Sequence, residues 1–330
     1  MEYDYFLLIA EEMNISKAAK RAYISQQSLS KYLHHLEEKH GTLLFERKPR
    51  LALTPAGEVV LQRARQMKVI ATNLQSELEE IKATHTGTIV FAGPPGRVAT
   101  LLPMVFPAFR QRYPNVRLVT KMGMTKDLLA QTANGAVDVL LSVGAEETTG
   151  LEEILLDEEP FYLAVSDDLL MQYFPEEYPD CKLRFMKGVD LREFVRIPFM
   201  ENTMESNFKR LVDRYLKSQN IQLTNVLSFD DGGTYLKLAS LGCGVCFFPS
   251  ILKRTVYKLN KNASPYQRLN YFPLKDMKET NRICILYGKR RKLPAYTNYF
   301  IQLVAEQYKE EFLGGKYSDV QDIQGIDTYS

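Results

Sequence analysis

Histidine is scarce in this 330-residue chain, and its placement excludes as much as its rarity. His34, His35, His40 and His85 all fall near the start, so the rest of the chain offers no imidazole for a catalytic triad, a proton relay or a histidine-ligated metal. Four cysteines in so long a chain make no disulfide framework and fit a reducing, cytoplasmic setting. Cys243-Gly244-Val245-Cys246 has the spacing of a redox or zinc pair, but no second pair complements it. It reads as a helix-to-strand turn that Gly242 and Gly244 explain. No apolar run approaches the ~20 residues of a membrane span, and the opening MEYDYF is acidic where a secretion signal is basic and apolar. Gly93 to Gly96 lacks the spacing of a phosphate loop. These absences predict no catalytic residue, no metal, no cofactor and no contact with a membrane.

What is present is concentrated between Asn14 and Gly57. Composition is that of an ordinary globular protein, 45% hydrophobic and 25% charged, long enough for two or three domains. Ser25 is placed to cap a helix on which Leu29, Tyr32, Leu33 and Leu36 share one apolar face. Gln27, Ser30, Lys31 and His34 lie opposite, a polar face unsuited to a core. A short helix from Ser16 to Ala22 precedes it, with Ala18, Ala19 and Ala22 small enough for the close crossing of a helix-turn-helix. In that motif the second helix enters the major groove with its N-terminal side chains on base edges. Gln26 and Gln27 occupy that end, and an amide side chain pairs in bidentate fashion with adenine. Ser16, Lys17, Ser25 and Ser28 complete the predicted DNA surface.

A basic ribbon follows. Leu43–Arg47 and Leu51–Thr54 read as two strands around Lys48-Pro49-Arg50. From Lys17 to Arg50 the net charge is +5, against +2 for the whole chain. Arg47, Lys48 and Arg50 are expected on phosphate or in the minor groove, where they add affinity with little sequence choice. A charge run alone is usually a solvated hairpin; its position after a helix-turn-helix is what makes it a wing.

The ordered motif SxxAAxxxxxSQxxLSxxLxxLExxxGxxLFxR, followed by LTPAG, resembles the winged helix-turn-helix of LysR-type transcriptional regulators. It is carried here by Ser16, Ala18, Ala19, Ser25, Gln26, Leu29, Ser30, Leu36, Glu37, Gly41, Leu44, Phe45, Arg47 and Leu53 to Gly57. Two departures stand out. Ala22 replaces the usual leucine, with Tyr23 or Ile24 expected to compensate in packing, and Gln27-Ser28 alters a base-reading position.

Thr54 and Pro55 form a strong helix start. Beyond them Val60, Ala64, Met67, Ala71, Leu74, Leu78 and Ile81 repeat at four-three spacing, a heptad seam. A helix from Pro55 to about Ala83 would be roughly 40 Å long at 1.5 Å per residue. A dimerising arm is preferred to a helix lying on its own domain, and the linker helix of the family has that role. Paired arms imply two reading helices on a dyad-symmetric site.

From Thr88 strands and helices alternate in the manner of parallel sheets with crossover helices. The segments GxxxVDVLLS and LASLGCGVCFFPSIL resemble the effector domain of the same family, which is two-lobed and built like a type 2 periplasmic binding protein. The expected fold is therefore α/β, with a winged helix-turn-helix over 1–58, a linker helix over 59–86 and an effector domain over 87–313. Lobe I is expected at about 87–164 and 270–313 and lobe II at about 165–269, with Asp168–Val195 longer than the usual link and 314–330 a disordered tail. Strand-to-helix loops would line a cleft with Pro95, Gly96, Arg97, Thr100, Gly123, Thr125, Asn202, Thr203, Asp230 and Gly232. Arg97, near a helix N-terminus, is the predicted seat for an anion.

The resulting expectation is a cytoplasmic regulator that binds double-stranded promoter DNA as a dimer or tetramer and responds to a small-molecule effector. RNA polymerase would be a further partner if it activates. The alternatives are a two-lobed binding protein or enzyme with a vestigial DNA module, and a constitutive DNA binder without an effector.

Overall fold

Side-chain caps decide where the first helices begin. In the computed structural model, which describes residues 3–46, 50–81, 86–145, 148–203, 206–229, 234–289 and 292–313, helix α1 (Asp4–Glu12) comes first, an element outside the sequence expectation. It buries Phe6, Leu7 and Ile9 and ends at Met13 in the left-handed region. Asn14 then accepts the Lys17 amide at 3.0 Å and starts α2 (Ile15–Arg21). Ser25 accepts the Ser28 amide at 3.1 Å and starts α3 (Gln26–His40), which stops at Gly41 with φ +64°. Ala18 and Ala19 of α2 pack with Leu29, Leu33 and Leu36 of α3 and with α1 in one small core. Ile24 packs against this core, whereas Tyr23 is 95% exposed. Ile24 alone therefore compensates for the missing leucine at Ala22.

The wing is shorter than expected. Strands β1 (Phe45–Glu46) and β2 (Ala52–Leu53) pair antiparallel through Phe45–Leu53 and Glu46–Ala52. Glu37 holds this ribbon to the reading helix: its buried carboxylate accepts the amides of Leu44 at 2.9 Å and Phe45 at 3.2 Å. The Thr54 hydroxyl donates to the Leu43 carbonyl and accepts the Gly57 amide, which ties the wing to the start of α4 (Pro55–Ile81).

Helix α4 corrects part of the heptad reading. Ala64 is buried in the core of its own domain and Val60 packs against it, so neither is free to face a partner. Met67, Ile70 and Leu74 are more than half exposed, and Ala71 is half-buried. The unpartnered stripe thus begins one heptad later. The side chains of Leu78 and Ile81 lie outside the described residues.

The remaining elements form two lobes. In the first, β3 (Gly87–Gly93), α5 (Pro95–Arg112), β4 (Val116–Met122), α6 (Thr125–Ala133) and β5 (Val139–Val143) make parallel crossovers. Strand β6 (Leu151–Glu159) then leads through Pro160 to β7 (Phe161–Ser166). The second lobe continues with α7 (Asp167–Tyr173), α8 (Cys181–Phe185), β8 (Phe199–Asn202), α9 (Asn207–Ser218), β9 (Asn225–Phe229), α10 (Thr234–Ser240), β10 (Cys246–Pro249), α11 (Lys253–Asn260) and β11 (Leu269–Pro273). Finally β12 (Asn281–Gly288) and α12 (Ala295–Tyr308) return to the first lobe.

The first sheet has the order β4-β3-β5-β12-β6, and β12 runs antiparallel to both neighbours. In the second lobe β7 runs antiparallel to both β10 and β11, while β8 and β9 are parallel. The first sheet is mixed, the three-stranded sheet of the second lobe is wholly antiparallel, and only the separate β8-β9 pair there is parallel as the alternation suggested. The expected lobe divides at 164/165 and 269/270 fall inside β7 and β11. Both strands pair within the second sheet, so the chain crosses at Pro160 and between Pro273 and Asn281. Hydrogen-bond partnership, which hydropathy does not encode, sets these limits. The long link from Asp168 to Val195 is ordered by an aromatic cluster in which Phe185 lies 5.1 Å from both Phe174 and Phe194.

A methyl group added at Gly57 would sit 2.0 Å from the Leu44 carbonyl oxygen, a backbone atom that cannot retreat without opening the wing. Gly57→Ala is expected to destabilise the first domain by about 1–3 kcal/mol through overpacking. A melting temperature equal to that of the parent protein, followed by circular dichroism, would contradict this packing.

Candidate nucleic-acid interface and interlobe site

In the chain the two candidate surfaces fall on either side of α4. On α3 the apolar residues face inward, and Gln27, Lys31 and His34 are exposed at spacings of four and three on the other side. Several predicted contacts already have partners. Ser16 donates its hydroxyl to the Gln26 side-chain oxygen at 2.9 Å, which locks the start of α2 to the start of α3. The Ser25 hydroxyl caps the helix and lies 2.8 Å from that of Ser28. His34 sits 3.4 Å from Glu38 one turn on. Lys17 and Arg50 are exposed and Ser30 is half-buried. Arg47 and Lys48 lie outside the described residues, as does His85. The groups left outward on the reading face are therefore Gln27 and Lys31, an amide and a cation suited to base edge and phosphate.

Arg97 is not an open anion seat. It is buried at the first turn of α5, and both terminal nitrogens engage the carboxylate of Glu159, one of them at 3.1 Å. Burial works against its charge, but Glu159 outweighs that effect and raises the Arg97 pKa above its ordinary value. Glu159 is fully buried at the end of β6, where the chain leaves the first lobe. It also accepts the Ile251 amide at 2.9 Å from the second lobe and lies 3.4 Å from the side chains of Ser250 and Asn281. Asn281, on the returning strand, accepts from the Asn207 amide at 2.8 Å. One carboxylate thus joins both lobes and both crossings. Nearby, burial and then Glu159 raise the pKa of Asp157, and burial raises that of Tyr308.

The other predicted cleft residues do not converge on one cavity. Pro95 and Gly96 are exposed at the start of α5. Gly123 is half-buried, and its amide bonds to the Gly93 carbonyl at 3.1 Å. Thr125 is buried with its hydroxyl accepting the Val143 amide at 2.9 Å, a structural tie and not an open contact. Asn202 is half-buried, and Thr203 uses its amide and hydroxyl on the Phe229 carbonyl. Asp230 and Gly232 lie outside the described residues. A cavity beside Asn202 holds only about 20 Å³, room for one water. Thr100 instead lines a cavity of about 280 Å³ between α5 and α11. Its other walls include Arg254 and Lys258, which sequence reasoning missed because no local pattern places α11 against α5.

Cys243 is exposed and Cys246 is buried on β10, where burial raises its thiol pKa. A protonated buried thiol is inert, so the C-x-x-C spacing here is a turn and a strand. Among the described residues no helix is long and apolar enough to cross a membrane.

An outward helix with a wing, a long arm and a two-lobed α/β domain define a class: winged helix-turn-helix proteins that carry a second, two-lobed domain. The particular family follows from comparison with known proteins. Residues 2–58 match the model of the bacterial regulatory helix-turn-helix protein, lysR family, and residues 82–309 match the LysR substrate binding domain. The chain belongs to the LysR family. A probable RuBisCO transcriptional regulator of Porphyra purpurea is 28% identical over 214 residues, 64% of this chain and 65% of that protein. The chain thus spans somewhat under two thirds of that relative. The dual regulator OxyR of Escherichia coli is 30% identical over 173 residues, 51% of this chain and 55% of that one. In fold, a full-length OxyR variant from Pseudomonas aeruginosa superposes with a TM-score of 0.61 at 17% identity, covering 93% of this chain and 96% of that one. CbnR complexed with its target DNA gives 0.53 at 20% identity, covering 93% and 98%.

Breaking a buried pair by removing one partner leaves an uncompensated charge, a loss of about 3–5 kcal/mol. Arg97→Met should therefore lower the denaturant midpoint of the full chain sharply. Arg97→Met combined with Glu159→Leu should recover part of that loss, because no lone charge remains. If the double variant is less stable than Arg97→Met by the full additive amount, the pairing is not what holds this junction.

Proposed function

We propose that this protein regulates transcription by reading double-stranded promoter DNA as a homo-oligomer and by responding to a small molecule held between its lobes. The carrying observation is the exposed stripe of Gln27, Lys31 and His34 on a helix whose opposite face is buried. A helix of major-groove size, held outward on a packed three-helix core, presents base-reading groups while the wing supplies phosphate contacts. Arg50 is the wing cation that supports this reading, with Arg47 and Lys48 beside it in sequence.

The exposed apolar side chains Met67, Ile70 and Leu74 support pairing of arms, hence two reading helices on a dyad-symmetric site. Dimer and tetramer both satisfy that geometry. CbnR in its DNA complex is a structural neighbour that supports the same mode of engagement. An effector acts only if it binds one lobe arrangement better than another. Glu159, which touches both lobes, is the group such an arrangement must respect. For an activator RNA polymerase is the further partner, and the setting is the cytoplasm. No observation favours an enzyme of the same architecture.

Base readers and phosphate clamps respond differently to substitution. In gel-shift titrations Gln27→Ala should narrow the gap between operator and random DNA by about 1–3 kcal/mol and leave the salt slope unchanged. Arg50→Ala should weaken both DNAs alike and reduce the slope of log K against log salt by about one. Equal losses on both DNAs for Gln27→Ala would remove that residue from base reading.

A further inference from the structure

Helix α5 of the first lobe and helix α11 of the second face each other across a cavity of about 280 Å³. We propose that this seam cavity is a binding site for a small carboxylate monoanion with a short apolar body. Its volume lies just below the roughly 300 Å³ at which small-molecule sites commonly begin. Ala99, Thr100 and Pro103 line one wall, and Arg254, Thr255 and Lys258 the other.

Charge selects the ligand. Arg254 reaches across the seam with one terminal nitrogen, 3.2 Å from the Glu311 carboxylate and 3.8 Å from the Met104 sulfur. Its remaining nitrogens, and the exposed ammonium of Lys258, have no hydrogen-bond or ion-pair partner among the described residues. Arg254 and Lys258 place two cations on one wall, an environment that favours an anion. Guanidinium nitrogens in a fixed fork suit a carboxylate, and a charge-assisted bond there is stronger than a neutral one. The Thr100 hydroxyl donates to the Gly96 carbonyl at 2.8 Å, so its oxygen is left to accept. Ala99 and Pro103 add apolar surface that a fully hydrated inorganic ion cannot use.

Glu159 grips Arg97 on the first turn of α5 and the Ile251 amide just before α11, so one carboxylate sets the spacing of the two walls. A ligand there touches both lobes at once.

Titrating the full-length protein with butyrate, butyramide and inorganic phosphate at constant ionic strength, read by calorimetry, tests the proposal. Butyrate should bind saturably at one site per subunit, with butyramide and phosphate each about tenfold weaker or worse. Lys258→Gln should weaken butyrate severalfold without altering the melting temperature, and Ala99→Leu, which fills the cavity, should abolish binding. Butyramide equal to butyrate, phosphate tighter than butyrate, no saturable binding, or affinity indifferent to both variants would each overturn it. These readouts involve no DNA, so the reading of the chain as a regulator stands or falls separately.

Discussion

The junction between the lobes rests on the carboxylate of Glu159. An ionised group taken wholly out of water is tolerated only when its lone pairs are satisfied and its charge is matched. Glu159 meets that demand with Arg97 from the first lobe, the Ile251 amide from the second and the Asn281 side chain on the returning strand. Each partner arrives from a different element, so none can move alone without leaving a buried charge under-solvated. The lobes therefore sit in a defined arrangement and not a continuum of them. An element with discrete arrangements is what a ligand needs if its binding is to be felt elsewhere in the molecule.

A buried carboxylate ties the first domain together as well, here through a single oxygen. Glu37 lies among Leu33 and Leu36 on the apolar side of α3 and spends its carboxylate on two wing amides. Helix and wing become one body, held at fixed relative height. Thr54 extends the tie to α4, so the arm starts from the wing itself. Both buried acids exchange freedom of movement for positional definition, one between lobes and one between helix and ribbon.

Local signals in the sequence carry a good deal of this. The Ser25 cap, the apolar face of α3 and the Thr54-Pro55 helix start rest on interactions within a few residues, and α3 and α4 begin where those signals place them. Errors arise where a side chain's role depends on a remote partner. Arg97 has the look of an anion seat until Glu159, sixty-two residues away, is seen to occupy it. Val60 and Ala64 fit a heptad seam but are covered by the domain's own core, to which the unexpected α1 contributes. Thr125 suits a cleft contact by its place in the chain, yet its hydroxyl is bound to the Val143 amide.

By itself the sequence determined the kind of protein. A capped helix with a polar outer face, a basic ribbon and a heptad arm are written in short-range periodicity and composition, and those properties survive without knowledge of the fold. Only the tertiary structure decided which polar groups remain available. It placed β7 and β11 in the second sheet, consumed Arg97 and Thr125 inside the scaffold, and brought Arg254 and Lys258 against α5. The reason is physical: burial and hydrogen-bond satisfaction are properties of pairs that meet in space, and no pattern along one strand of sequence records who the second member will be.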